Sequence, residues 1–431
     1  MRKVRKKIIN KIENEKGAIT ALVLASLLVI TIILINIYMI GSNKSNSQNK
    51  EIKTIQEAYN YTEDKIDLKY KSSIVFENIN TADTNPKEAL PANIKEIVEN
   101  DANKGIVIKD KNENEWVWVE VPKTTVFTGL TIDTTKELTE QNYNEIRDKL
   151  INYAKEYRKE EYPDEWYAMD GSTLITENTE NITEEQKKLK NGCGLTYYQY
   201  KANYQNILKY IYAYGGFWIG RYEAGIKGST EDISKARTSH SDIVIGTSLE
   251  AISQKDAIPY NYVYCSEAQA LANQMSPDNN YTSSLMFGIQ WNLICKFLEV
   301  KSELITTDVN LDSMSWGNYN NVTRNITSNK AKREGTPWTE ITGTKPVNSS
   351  ILLTTGATEE TKKMNIYDLA GNVWEWTLGQ YKSNNKYPST YRGGSYYDYG
   401  NIHPAYNYVY NKIDFGNSNI GFRATFYKNK K

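Results

Sequence analysis

Apolar and polar positions divide the chain into sharply different stretches. Ala18 to Ile40 (AITALVLASLLVITIILINIYMI) holds no charged side chain over 23 residues. At about 1.5 Å of rise per residue such a helix reaches roughly 35 Å, enough for a bilayer core of about 30 Å. Its apolar circumference predicts a membrane span rather than a soluble core helix, and its length exceeds the apolar region of a cleaved secretory signal. From Ser42 to about Asn103 the pattern is polar, with weak helical periodicity at Ile52, Ile55, Ala58 and Tyr59 and breakers at Pro86 and Pro91, which reads as a stalk.

Strand signals begin at Trp116-Val-Trp-Val-Glu-Val-Pro122 and return in GGFWIGRYEAG, Gly215 to Gly225. Charged, tyrosine-rich stretches between them, such as Tyr143 to Tyr157, read as helices on the domain surface, in an insertion spanning about 130–214. Ser266-Glu-Ala-Gln269 has capping-box spacing and predicts a helix through about Met275. Trp291, Ile294, Phe297 and Leu298 share one face of a second, buried helix. The last third is short strands and turns. The expected organisation is a segment 1–16, a transmembrane helix 17–41, a stalk 42–105 and an α+β domain 106–431 with much irregular structure.

Charge changes this picture by giving it a direction. The 52 basic and 52 acidic side chains cancel overall, which leaves no basic surplus for nucleic acid. Residues 1–16, however, carry Arg2, Lys3, Arg5, Lys6, Lys7, Lys11 and Lys16 against Glu13 and Glu15, a surplus of five. Only Lys44 follows the span before Gln48, so the positive-inside rule puts residues 1–16 in the cytoplasm and the main domain outside the cell membrane.

Histidine and cysteine are scarce. With only His240 and His403, a three-imidazole metal site cannot be built within one chain. Cys193, Cys265 and Cys295 form no close sequence pair, which argues against a disulfide framework, a zinc ribbon or a CxxC redox motif.

Three separated motifs carry a family resemblance: NIYDLAGNVWEWT (Asn365 to Thr377), YRGGSYY (Tyr391 to Tyr397) and NIGFRATF (Asn419 to Phe426). With GGFWIGRYEAG as an early strand, they resemble the formylglycine-generating enzyme, or sulfatase-modifying factor, family over roughly residues 114–428. The resemblance implies a variant of the C-type-lectin fold. It also implies where an oxidase would keep two copper-binding cysteines, three and eight positions after the serine of RGGS. Those positions hold Asp398 and His403, and no cysteine follows Cys295, so copper and formylglycine chemistry are not expected. The iron-dependent sulfoxide-forming relatives need three histidines, which this chain lacks.

For the GNVWEW loop the resemblance implies a structural Ca²⁺ held by Asp368, Gly371, Val373 and Glu375, through two carboxylates and two backbone carbonyls. The alternative is that Asp368 caps a turn, Glu375 is solvated, and Trp374 and Trp376 pack in the core. Arg392, Gly393 and Gly394 read as structural, and Arg423 as a buried arginine whose partner the sequence does not name.

Tyr391 to Tyr410 contains seven tyrosines in twenty residues. Tyrosine interleaved with small polar residues is how recognition loops are composed, so Tyr396, Tyr397, Asp398, Tyr399, Asn401, His403, Tyr406, Tyr408 and Tyr410 are the candidate ligand-binding set. The competing explanation is strand propensity in a tyrosine-rich chain. From Ser395 to Asn411 every residue is reachable from an AAC codon by changing adenines only, which resembles the variable region of target proteins of diversity-generating retroelements.

These features together imply a membrane-anchored, extracytoplasmic, non-catalytic protein with an extracellular protein or glycan ligand. An oxidase or hydrolase using Asp398 and His403 is one alternative. A pilin-like structural or adhesive tip subunit is another, because Lys16-Gly17 followed by the apolar run resembles a prepilin leader, although Leu22 stands where most such leaders carry glutamate.

Overall fold

The structure, a computed structural model, describes residues 74–91, 94–169, 174–176, 182–240, 250–382 and 388–429. The chain divides into two compact units, residues 1–69 and 70–431. The expected span at 18–40 lies outside the described residues. Among the described residues no helix is long and apolar enough to cross a membrane.

The second unit is a mixed α/β fold built on two sheets. Four strands open it: β1 (Ile94–Glu99), β2 (Val107–Asp110), β3 (Glu115–Glu120) and β4 (Gly216–Gly220). Then come β5 (Tyr281–Leu285), β6 (Trp374–Gln380), β7 (Ser389–Arg392), β8 (Tyr408–Asn411), β9 (Ile420–Phe422) and β10 (Ala424–Lys428). The larger sheet has the order β1-β2-β3-β4-β10-β5, and the smaller one β8-β7-β6-β9.

Strand β3 is buried on both faces, as its continuous apolar run implies. Each of its indoles finds an acceptor: Trp116 Nε1 donates to Asp110 Oδ2 at 2.9 Å and Trp118 Nε1 to Thr84 Oγ1 at 2.8 Å. Such a partner is what lets a large aromatic with a polar handle enter a core.

The expected stalk boundary at 105 falls too late. Ala89 and Leu90 are fully buried, their carbonyls accept from the Tyr210 and Tyr281 hydroxyls, and β1 is hydrogen-bonded into the larger sheet. Residues 74–105 therefore include part of the domain. The signal is weak because β1 is an edge strand whose only buried side chain is Ile94.

The four longest helices among the described residues flank the sheets: α1 (Glu140–Tyr153), α2 (Tyr197–Tyr214), α3 (Cys265–Gln274) and α4 (Gly288–Lys301). The first two fall where surface helices are expected, yet Ile146 and Leu150 of α1 and Ile207 and Ile211 of α2 are buried in the core. Helix α2 stops at Gly215, with φ 70°, where a Cβ would lie 2.0 Å from the Asp83 carbonyl oxygen. Only glycine fits that left-handed cap.

Helix α3 starts two residues earlier than the Ser266/Gln269 pair suggests, with Tyr264 at the N-cap. Glu267 accepts the Tyr264 N–H at 2.9 Å, whereas Gln269 is buried and accepts from Leu285 N at 2.9 Å. A buried amide that locks a neighbouring strand outcompetes a cap that water could replace.

Candidate functional site

The GNVWEW loop turns through three residues with positive φ, Asp368 (57°), Gly371 (78°) and Asn372 (57°), before entering β6. Close packing demands the glycine, since a Cβ at Gly371 would sit 2.4 Å from the Asn318 carbonyl oxygen. Behind the turn lies Glu223, fully buried at the end of GGFWIGRYEAG. Its carboxylate accepts from Val373 N at 3.0 Å and Asn372 Nδ2 at 2.7 Å. Burial and the neighbouring Asp368 and Glu375 hold the Glu223 carboxyl well above the ordinary carboxylate range.

Both carboxylates expected to hold calcium have donors within the protein. Asp368 accepts from Gly356 N and Thr361 Oγ1, each at 2.7 Å. Glu375 is engaged by Arg423, with Nη2 at 2.6 Å and Nε at 3.1 Å from Oε1, and Nε at 3.1 Å from Oε2. Arg423 also donates to the carbonyls of Gly220 and Tyr367. Both carboxylates are thus satisfied by N–H and O–H donors, and the guanidinium already supplies a cation beside Glu375. Protein donors already hold both carboxylates of the Ca²⁺ set expected at Asp368, Gly371, Val373 and Glu375. Among the described residues no group of three or more His, Cys, Asp or Glu is placed to hold a metal ion. Glu375 is also not solvated, because both it and Arg423 are fully buried.

Strand β7 pairs with β6 so that Arg392 lies opposite Glu375 and Tyr391 opposite Trp376. Arg392 is fully buried, and among the described residues no carboxylate forms an ion pair with it. It donates to Asn292 Oδ1 at 2.7 Å and to the Tyr406 carbonyl at 2.6 Å, and its guanidinium lies 3.7 Å from the Tyr408 ring centroid. Through these contacts it ties α4 to the strand that carries the late tyrosines, the structural role expected of RGGS.

The tyrosine-rich segment separates into two populations. Tyr396 and Tyr408 are core residues, 0% and 6% exposed, which removes them from the candidate ligand set. Tyr396 donates to Glu334 Oε2 at 2.8 Å, and Tyr408 donates to Asn292 Oδ1 at 2.7 Å and the Tyr157 carbonyl at 2.9 Å. Tyr408 and Tyr410 share one face of β8, but Tyr408 is buried against Arg392 whereas Tyr410, further along the strand, stays half-buried, stacked on Tyr381 at 3.9 Å. In contrast, Tyr397 (52% exposed), Tyr399 (45%) and Asn401 lie on the surface beside Ile402, which the candidate set omitted.

That exposed turn is rigidly seated. Asn320 N donates to the Asp398 carbonyl, Ser313 N to the Gly400 carbonyl and Tyr396 N to the Asn372 carbonyl, at 2.9 to 3.0 Å. A Cβ on Gly400 would meet Tyr319 Cδ2 at 2.8 Å, so the turn lies directly against the loop beneath it. Asp398 and His403 are brought near each other, with Nε2 3.8 Å from Oδ1, too long for a hydrogen bond. Asp398 instead accepts from Ser395 Oγ at 2.5 Å, and Asn407 Nδ2 donates to His403 Nδ1 at 2.8 Å. Each side chain is held by its own neighbour, which is poor geometry for a shared proton.

Beside β8 the insertion contributes a second feature that the sequence did not reveal. Tyr162 packs on Tyr381 and Tyr408 at 4.9 and 4.7 Å, and Lys159 Nζ lies 5.1 Å from the Tyr406 ring. Next to this cluster opens a cleft of about 450 Å³ lined by Arg147, Asp148, Arg158, Tyr162, Asp164 and Asn292. Asp164, half-buried at its wall, caps α4 by accepting from Gly288 N at 2.6 Å and Ile289 N at 2.7 Å. Burial pushes its carboxyl up to about 6 despite these donors.

The sulfatase-modifying factor enzyme 1-like domain matches residues 122–426, and the chain belongs to that family. A crystal structure of CarF shares 14% identity, with 49% of this chain and 86% of that one covered at a TM-score of 0.29. Treponema denticola variable protein 1 shares 14% identity, with 50% and 85% covered at a TM-score of 0.27. Likenesses this distant add nothing to the family assignment. No curated protein matches the chain.

Proposed function

We propose that the protein is a membrane-anchored, extracytoplasmic binding protein that has kept the family scaffold without its oxidase chemistry. The observation that carries this reading is the exposed turn Tyr397 to Ile402, where aromatic and polar side chains stand out from a backbone clamped at three points. Rigid tyrosines offer large contact area at small entropic cost, and a seated backbone lowers the ordering penalty of binding. Half-buried Asp398, His403, Tyr406 and Tyr410 would form the inner edge of the contact. An extracellular protein or glycan is the class of ligand such a surface suits. The anchor would be residues 18–40, with the basic segment 1–16 cytoplasmic. The adenine-variable codon pattern over 395–411 supports diversification of this same surface.

Asp398 and His403 stand where the family resemblance places the oxidase thiols, and neither residue supplies a soft ligand for copper. The test is a cysteine-peptide oxidation assay with dioxygen and added copper. No aldehyde product is expected from the wild type. Turnover that disappears in an Asp398→Ala, His403→Ala variant would replace binding with catalysis. The Lys16-Gly17 junction favours one second reading, a pilin-like tip, which requires a mature N-terminus at Ala18 and co-purification with filaments.

A further inference from the structure

Two cysteines distant in sequence meet behind strand β6. Cys193 sits in a turn fixed by Asn191, whose side-chain oxygen accepts from Cys193 N at 3.1 Å and Leu195 N at 3.0 Å. Cys265 is the first residue of α3. Both are fully buried, and both sulfurs approach the same acceptor, the Thr377 carbonyl oxygen, at 3.6 and 3.8 Å. The two thiols are also hydrogen-bond neighbours of one another, and burial pushes the Cys265 thiol well above its ordinary value. Gln380 Nε2 donates to Cys193 Sγ at 3.5 Å, Ser389 is a side-chain hydrogen-bond neighbour of Cys265, and Gln380 Oε1 has no hydrogen-bond partner among the described residues. The third cysteine, Cys295, lies elsewhere, in α4, under the influence of Arg392 and Glu299.

We infer that Cys193 and Cys265 are a disulfide-forming pair that covalently ties the turn before α2 to the start of α3. The oxidant is a thiol-exchanging disulfide, for which oxidised glutathione serves as the probe. One thiolate of the pair attacks a glutathione sulfur, giving a mixed disulfide and releasing one glutathione thiolate. The second attacks the protein sulfur of that mixed disulfide and expels the other glutathione. Two protein thiols and one glutathione disulfide thus become one protein disulfide and two glutathione thiols, which take up both electrons and both protons. Because both sulfurs are buried, exchange takes place while the chain folds or when the core opens. A link closing a loop of this length restricts the unfolded chain strongly, so the oxidised form melts higher.

The test uses the full-length chain incubated with oxidised glutathione near its melting midpoint, cooled, alkylated in denaturant and peptide-mapped without reduction. Titratable thiols are expected to fall from three to one, with a cross-linked peptide pair containing Cys193 and Cys265 and with Cys295 alkylated. A Cys295→Ser variant should give the same linked pair, and the melting temperature should rise by several degrees over the reduced form. Persistence of three thiols, mixed glutathione adducts that never resolve, or a link through Cys295 would each overturn the inference. None of these outcomes depends on whether the exposed turn binds a ligand.

Discussion

Arg423 closes on Glu375 across the parallel pairing of β9 with β6, with Nη2 2.6 Å from Oε1 and neither side chain open to solvent. The C-terminal GFR motif thereby locks the strand that follows the GNVWEW turn. Removing one partner of a buried pair leaves the other charge uncompensated, at about 3 to 5 kcal/mol. An Arg423→Leu variant should lose about that much stability in urea denaturation. A loss below about 1 kcal/mol would mean the pair does not hold the loop.

Because Asp368 and Glu375 are satisfied internally, divalent cations have little to gain at this turn. The melting temperature should be unchanged by excess chelator or by millimolar Ca²⁺. A calcium-dependent rise of several degrees would show the two carboxylates leaving Thr361 and Arg423 for a metal.

Asp164 gives stability a pH slope of definite sign. Its folded pKa, raised to about 6 by burial, exceeds the ordinary value of 3.8, so the folded state binds the extra proton between those limits. The contribution is fully present below about pH 4 and is lost as pH rises through 6. Thermal melts at pH 4.5 and 7 should show a smaller drop in an Asp164→Asn variant than in the wild type. Equal drops would assign the slope to other groups.

Substitutions should sort the tyrosines by burial. Tyr408→Ala removes a ring stacked beneath Arg392 and should cost about 3 kcal/mol or more, as large aromatic truncations in cores do. Tyr397→Ser and Tyr399→Ser should each change stability by no more than about 0.5 kcal/mol, as surface substitutions do. Urea titrations of the three variants check the ordering, and a destabilised Tyr397→Ser would contradict the placement of that ring on the surface.

Legibility from sequence followed the range of the interactions involved. Strand β3 and helix α4 announce themselves through local apolar pattern, and both form as expected. The family motifs likewise mark the strands that build the smaller sheet. What stayed hidden depends on distant partners. Glu223 looks like a strand-end glutamate until the Asn372 and Val373 donors reach it from about 150 residues away. Cys193 and Cys265 look unpaired until β6 brings them together. Tyr396 and Tyr408 share a composition with their exposed neighbours, and composition carries no information about which way a turn faces.

Ligand binding by the exposed turn can be read out by probing the full-length protein and its Tyr397→Ser, Tyr399→Ser double variant against arrayed glycans and arrayed extracellular proteins. At least one wild-type signal should fall tenfold or more in the double variant while the melting temperature holds. Signals equal for the two proteins, or none above background for either, would contradict it.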